Sequence, residues 1–141
     1  MKKLNLKVWI PSIAIEGALE LVEFKYSKGL QITLEDIQNN TYQIQFNKEK
    51  NGNYILACRF ADEMKRSDLA EPAFQARKNE VDTVRKSWSL YKAINSDFVD
   101  WYDQLPGPGS EHYHIDHYII VTSDETFEIL SEVEPTIIKL A

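Results

Sequence analysis

The sequence predicts an α+β fold, with a single antiparallel, meander-rich β-sheet of about six strands and two or three short helices. Two observations predict the sheet. Apolar and polar residues alternate in short segments, and turn residues separate the segments at Ser27–Gly29, Asn39–Asn40 and Asn51–Asn53. Because tight turns join only antiparallel strands, this part of the chain is expected to form a meander. A third observation, the helical spacing of apolar residues after Ser96, predicts a short helix.

Length and composition predict the class of protein. The chain has 141 residues, so residues 1–141 are expected to form one domain. With 43% hydrophobic and 27% charged residues, the composition is that of a globular protein and not of a disordered one. No apolar run is long enough for a membrane span or a secretory signal. The single cysteine, Cys58, cannot form an internal disulfide, and we therefore expect a cytoplasmic protein.

Five strands are predicted in the first part of the chain. Val8–Pro11 is apolar and ends at a proline, which is typical of an edge strand or a tucked arm. Leu19–Tyr26, Leu30–Glu35 and Tyr42–Asn47 alternate as half-buried strands do. Tyr54–Phe60 is almost continuously apolar, so we expect a central strand that is buried on both faces.

The sequence from Asp62 onward predicts three further strands after a charged middle segment. Asp62–Val84 has high helix propensity, but its charges are dense and its apolar residues few, so we expect a mobile loop with a partial helix. Ser87–Ile94 and His112–Val121 alternate as strands do. Thr136–Leu140 is expected to add a last edge strand.

Two short helices are predicted from capping signals. Ser96 is a good N-cap, and apolar side chains follow it at helical spacing: Phe98, Trp101, Tyr102 and Leu105. We expect Phe98 and Trp101 to lie in the core. Thr122 and Glu125 match a capping box and predict a second short helix.

Charge is distributed unevenly along the chain. There are 22 acidic and 16 basic residues, which gives a net charge of −6. Residues 1–92 carry a net charge of +3, whereas residues 93–141 carry −9, with Lys139 as their one basic residue. Such asymmetry is typical of a protein that binds a partner of opposite charge, although an acidic face that only keeps the protein soluble is the simpler alternative. The net charge argues against binding to nucleic acid or to an anionic membrane.

The acidic residues suggest a recognition surface. Asp97, Asp100 and Asp103 recur at a spacing of three, which aligns them in a stripe on the predicted helix beside Tyr102. Catalysis by paired carboxylates needs one acid kept neutral by burial, and nothing in the sequence indicates such burial. Aromatic side chains within a charged rim are typical of protein interfaces.

The histidines suggest a metal site as an alternative to the recognition surface. His112, His114 and Asp116 would share one face of a strand, and two imidazoles with a carboxylate can hold zinc or iron. Ligands from a second element are lacking, because the chain has only 3 histidines. His117 would point to the other face, where a hydrogen-bonded core histidine is expected. Cys58 lies in an apolar strand with no adjacent base, so we expect an inert thiol.

Three segments carry a family resemblance: Val8–Pro11, Tyr91–Trp101, and His117–Asp124 continuing to Pro135. With these segments in this order, the chain resembles immunity proteins of Gram-positive bacteria that are encoded beside polymorphic, contact-dependent toxins. The resemblance is particularly to the partners of wall-associated rearrangement-hotspot toxins. The resemblance implies a cytoplasmic, non-enzymatic protein that binds and blocks a toxin domain, commonly a nuclease. It contains no catalytic signature.

Together these observations predict an immunity protein that occludes the basic active site of a toxin, without a cofactor. The residues expected to bind the toxin are Asp97, Asp100, Tyr102, Asp103, Glu111, His114 and Asp116. A small metal-dependent enzyme and an interaction domain unrelated to toxins are the alternatives.

Overall fold

The fold was obtained as a computed structural model, which describes residues 4–13, 15, 17–80 and 88–140. These residues form nine β-strands, one 3₁₀ helix and two α-helices. The strands are β1 (Asn5–Val8), β2 (Leu19–Tyr26), β3 (Leu30–Asp36), β4 (Thr41–Phe46), β5 (Ala57–Asp62), β6 (Leu90–Ile94), β7 (Asp116–Val121), β8 (Glu125–Ser131) and β9 (Thr136–Lys139). The 3₁₀ helix (Glu63–Leu69) leads directly into α1 (Ala70–Lys78), and α2 is Asp97–Asp103.

The strands form two antiparallel sheets, so the prediction of an α+β fold with a single sheet is wrong. One sheet has five strands in the order β1-β6-β7-β8-β5, and the other has four in the order β2-β3-β4-β9. The protein is therefore mostly β. The meander β2-β3-β4 is present as expected, but β5 leaves it to pair with β8, and β9 returns to β4. These pairings join segments far apart in the chain, and local alternation does not encode them.

The hydrophobic core lies between the two sheets. In the four-stranded sheet, Leu30, Ile32 and Leu34 of β3 are fully buried. Facing residues of the five-stranded sheet complete the core, and Tyr118 contacts Phe46 edge-on with ring centroids 5.6 Å apart. Phe127 of β8 stacks on Phe24 of β2 at 5.3 Å. Each sheet thus buries one apolar face against the other.

The helices cover the other face of the five-stranded sheet. The segment of the 3₁₀ helix and α1 buries Leu69, Ala73 and Ala76, and α1 packs mainly against β1. Asp62 caps the 3₁₀ helix by accepting hydrogen bonds from the backbone N–H groups of Met64 and Lys65. The segment Asp62–Val84 was predicted as a mobile loop with a partial helix; it is helical over Glu63–Lys78, and residues 81–84 lie outside the described residues.

The predicted central strand Tyr54–Phe60 is wrong in its position and burial. The observed strand β5 begins at Ala57 and lies at an edge of its sheet, where Phe60 is exposed and Cys58 is partly buried. A continuous apolar run is compatible with a strand that is covered on one face only, because the composition does not specify the neighbours.

The predicted helix after Thr122 is also wrong, since Glu125–Ser131 is strand β8. Thr122 Oγ1 accepts a hydrogen bond from the Glu125 N–H at 2.9 Å and donates one to the Glu125 carboxylate at 2.7 Å. The Thr122 N–H also donates to the Glu125 carbonyl at 2.8 Å. The side chains thus make contacts like those of a capping box, but they close the β7–β8 hairpin.

Several other predictions hold with shifted boundaries. β2 spans Leu19–Tyr26 as predicted, and Ser96 caps α2. β1 is an edge strand, but it ends at Val8 and does not begin there. Of the predicted strand Ser87–Ile94, β6 covers Leu90–Ile94 and residue 87 lies outside the described residues. No helix in the described part of the chain has the length and apolar character needed to cross a bilayer.

Candidate protein-binding surface around helix α2

Helix α2 is anchored to the five-stranded sheet at its first turn. Ser96 has extended backbone angles, and its Oγ accepts a hydrogen bond from the Val99 N–H at 2.9 Å. Phe98 is buried and contacts the His117 ring edge-on, with centroids 5.4 Å apart. The Arg59 guanidinium lies 4.2 Å from the centroid of the Phe98 ring. These contacts fix both the position and the rotation of the helix.

Trp101 lies at the surface, contrary to the prediction that it belongs to the core. Its side chain is 49% exposed and makes a tilted ring contact with Phe98 at 5.6 Å. A helix of 7 residues buries only one narrow face, and Phe98 occupies it. Because Trp101 follows Phe98 by three residues, it lies about 60° round the helix and covers the rim of that contact.

The exposed face of α2 combines this tryptophan with carboxylates. Asp97, Trp101 and Gln104 are exposed and Asp100 is half-buried, and helical spacing places the four on one side. Leu105, just beyond the helix, is also exposed. Tyr102 lies toward the buried side, where burial first and then the nearby Tyr113, Glu132 and Asp103 raise the pKa of its phenol.

The turn after α2 brings two further carboxylates together. Asp103 accepts hydrogen bonds from the Ser110 N–H at 2.8 Å and from the Ser110 hydroxyl, and these bonds lower the pKa of Asp103. Glu111 accepts a hydrogen bond from the Gly109 N–H at 3.1 Å. A Cβ at position 109 would collide with the Asp103 carboxylate, so glycine lets the turn approach it. The Asp103 and Glu111 carboxylates therefore lie close together.

A cavity of about 330 Å³ separates α2 from the segment leading into β7. Asp100, Asp103 and Ser110 line it, together with Ile115 and the buried Ser96 and His117. Its polar lining and position beside Asp100 extend the acidic surface inward.

The structure divides the acidic residues of the second part of the chain. Asp97 forms an ion pair with Arg59 at 3.7 Å. Asp116 contacts Lys92 at 3.7 Å and His114 at 3.3 Å. Asp116 adjoins His117 on β7, and alternation along the strand points its side chain away from α2. His114 and Asp116 are therefore not brought together with the α2 carboxylates, whereas Asp97, Asp100, Tyr102, Asp103 and Glu111 lie on or beside α2.

Glu128 is the center of a buried polar network that the sequence did not indicate. Its carboxylate accepts hydrogen bonds from Arg59 at 2.6 and 3.1 Å and from Arg66, and it lies 3.0 Å from His117 Nε2. His117 Nδ1 lies 2.6 Å from Ser96 Oγ. The prediction of a hydrogen-bonded core histidine at His117 is confirmed. The sequence predicted only the helix cap at Ser96 and the core position of His117, because the other partners come from separate elements of the fold.

The order Ser96, His117 and Glu128 resembles a catalytic triad, but its surroundings favour a structural role. Ser96 Oγ already accepts the Val99 N–H as a helix cap and is buried. In addition, the Glu128 carboxylate also binds two guanidinium groups, so it is not a dedicated partner of His117 as the acid of a triad is. The network joins α2 to four other elements: β5, the 3₁₀ helix, β7 and β8.

The alternative of a metal site on His112, His114 and Asp116 receives no geometric support. Strand β7 begins only at Asp116, so the two histidines precede it and do not share a strand face. Within the described part of the chain, no three side chains of histidine, cysteine, aspartate or glutamate are arranged to hold a metal ion.

Comparisons with protein-family models, with curated proteins and with solved structures find no match to this chain. The resemblance to immunity proteins therefore stays a prediction. The functional interpretation below depends on the surface around α2.

Proposed function

We propose that this protein is a non-catalytic immunity protein that binds and neutralises a basic toxin domain in the cytoplasm, with a nuclease as the expected class of toxin. The observation that carries the proposal is Trp101, a large aromatic side chain exposed on the same side of α2 as Asp97 and Asp100. We refer to Trp101, Asp97 and Asp100, together with Asp103 and Glu111 at the following turn, as the α2 surface.

The composition of the α2 surface supports binding to a basic protein. Tryptophan is enriched among the residues that dominate binding energy, because it buries a large area at a small entropic cost. Carboxylates around it speed association with a basic partner and disfavour acidic ones. Toxin nucleases need a basic cleft to hold nucleic acid, and an acidic protein surface complements such a cleft.

The anchoring of α2 further supports a binding role. Ser96, Phe98 and the Glu128 network hold the helix before any partner arrives. A preformed surface loses less conformational entropy on binding than a flexible one does.

The test is protection of cells against the toxin domain encoded beside this chain in its genome. We expect the wild-type protein to protect cells that express the toxin. Trp101→Ala should weaken binding by about 2–4 kcal/mol. Reversing two charges, Asp100→Lys with Asp103→Lys, should lower the association rate about tenfold at low salt. Protection is measured as growth, and binding rates are measured by surface plasmon resonance.

Asp124→Lys is the matched control, because Asp124 is an exposed aspartate in the β7–β8 turn, away from α2. It should protect as well as the wild type does. If the Trp101 and Asp100/Asp103 variants bind and protect like the control, the α2 surface is not the binding site. If the wild-type protein neither binds nor protects, the proposed function is wrong.

A further inference from the structure

Beyond Leu19, whose carbonyl accepts a hydrogen bond from the Ser123 N–H, strand β2 presents a free edge with exposed apolar side chains. It is the outer strand of the four-stranded sheet, paired only with β3 among the described strands. Val22 is 57% exposed, Phe24 36% and Tyr26 59%. Unpaired backbone groups beside exposed apolar side chains are a template for pairing with another strand.

The charges on this edge are ordered symmetrically about Phe24. Glu23 directly precedes it and Lys25 directly follows it, and both are exposed. The glutamate therefore lies as far before Phe24 as the lysine lies after it. Antiparallel pairing of two copies about a two-fold axis at Phe24 places Glu23 opposite the partner's Lys25.

The apolar side chains fit the same arrangement. Phe24 and Tyr26 pair with the buried Ile32 and Leu30 of β3, so they lie on the inner, apolar face of the sheet. Pairing about Phe24 places Phe24 opposite the partner's Phe24. The inner faces of the two sheets then form one continuous apolar surface. Glu23 and Lys25 lie on the opposite face, and their charges pair there.

We propose that β2 mediates a symmetric homodimer by antiparallel pairing with β2 of a second copy. Charge complementarity favours a second copy of the chain as the partner, because the charges of β2 are complementary to those of another β2 only in the antiparallel direction. Parallel pairing in register would place Glu23 beside the partner's Glu23 and Lys25 beside the partner's Lys25, which is destabilising.

The register shift in β2 limits the pairing to a defined length. A β-bulge between Leu21 and Glu23 interrupts the β2–β3 ladder just before the symmetric segment. Bulges bend and twist a strand, so regular pairing is confined to the part of β2 after it. A two-fold interface uses the same edge in both copies and closes the assembly at two subunits. The α2 surface belongs to the helical layer on the five-stranded sheet, so the dimer does not depend on the proposed function.

The test is the mass in solution of the full chain, measured by sedimentation velocity and by light scattering over the micromolar concentration range. We expect the wild-type protein to dimerise. Lys25→Glu and Glu23→Lys each place like charges opposite each other at two symmetric positions. Each should therefore weaken the dimer about tenfold or more. The double variant Glu23→Lys/Lys25→Glu restores opposite charges and should restore the dimer.

Lys78→Glu is the matched control, because Lys78 is an exposed lysine at the end of α1 and its reversal should leave the dimer unchanged. Circular dichroism checks that all variants are folded. A wild-type protein that stays monomeric throughout overturns the proposal and makes Lys25 a guard against edge pairing. A dimer that survives both single reversals, or that the double variant does not restore, also overturns it.

Discussion

Two buried tyrosines differ in how their hydroxyl groups are satisfied. Tyr91 Oη donates a hydrogen bond to the Trp88 carbonyl at 2.8 Å and accepts one from Arg77 at 2.8 Å. The Tyr118 hydroxyl, fully buried between the sheets, has no hydrogen-bond partner among the described residues. Burial raises the pKa of both phenols. The sequence could not distinguish them, because both lie in alternating apolar strands.

Removing the two hydroxyls should have opposite effects. Tyr91→Phe leaves Arg77 and the Trp88 carbonyl unpaired and should lower the free energy of unfolding by about 1–3 kcal/mol. Tyr118→Phe removes an unpaired buried hydroxyl and should leave the free energy of unfolding unchanged or raise it. Urea unfolding of both variants beside the wild type measures the difference. Equal losses in the two variants would show that the Tyr118 hydroxyl is hydrogen-bonded in solution.

The environment of the Cys58 thiol agrees with the prediction from the sequence. The thiol was expected to be inert, and burial, with a smaller contribution from Glu128, raises its pKa to about 11. It is therefore protonated at neutral pH and a poor nucleophile.

Among the elements, the hairpins were predicted best, because turn residues act locally. The β2–β3 turn contains Gly29, whose φ of +112° is a conformation that other residues rarely adopt. Gly29 is also packed closely, since a Cβ there would lie 2.8 Å from the Phe46 carbonyl oxygen. Gly52 also lies in a predicted turn, with φ of +84° and no atom near such a Cβ, but this turn links β4 and β5 of different sheets and does not form the expected hairpin.

These two glycines form a matched pair for mutation. Gly52→Ala should lower the free energy of unfolding by about 1–2 kcal/mol through its backbone conformation alone. Gly29→Ala has the same conformational cost. It should lower the free energy of unfolding by a further ~1–3 kcal/mol, because the backbone of β4 must move. Thermal and urea unfolding provide the comparison. A Gly29→Ala variant as stable as Gly52→Ala would contradict the close approach of the turn to β4.

Where an element was predicted wrongly, the local chemistry was often right. Thr122 Oγ1 accepts the Glu125 N–H, as the first residue of a capping box does, but β8 follows because its apolar residues pair with β7 and β5. At a boundary such as this, tertiary pairing outweighs a capping signal.

At the scale of the whole molecule, Glu128 links elements that are distant in the chain. It lies on β8 and contacts Arg59 of β5, Arg66 of the 3₁₀ helix and His117 of β7. Burial alone would raise the pKa of Glu128. Hydrogen bonds and charges from His117 and Arg59 outweigh it and lower the pKa to about 2. The folded protein therefore strongly favours the ionised carboxylate.

This lowered pKa predicts how stability depends on pH. Because the pKa in the folded state is below the ordinary 4.5, the contribution of Glu128 is complete above pH 4.5 and is lost as the pH falls toward 2. Glu128→Gln should lower the free energy of unfolding at pH 7 by about 3–5 kcal/mol, and its difference from the wild type should shrink as the pH falls. Urea unfolding at several pH values measures this.

Glu49→Gln, at an exposed glutamate, is the control and should follow the wild type at every pH. A gap between Glu128→Gln and the wild type that stays constant down to pH 2 would contradict the coupling of Glu128 to its cationic partners.

The candidate surface was predicted in part. The spacing of Asp97, Asp100 and Asp103 placed them on a helix with a serine cap, and the structure has that helix. The exposure of Trp101 was predicted wrongly, because helical spacing shows which residues align and not how much of the helix is buried. The division of the acidic residues between paired and clustered carboxylates was also not predictable, since Arg59 and Lys92 come from other strands.

The sequence by itself determined the local features of this protein: the hairpin turns, the alternation of the strands, the cap of α2 and the acidic excess of residues 93–141. These depend on interactions between neighbouring residues, whose spacing is written in the chain. Only the tertiary structure decided that the strands divide into two sheets, that Glu128 is buried among cations, and that Trp101 and the β2 edge face outward. Those outcomes depend on pairings between distant segments, and an alternating apolar strand is compatible with many partners.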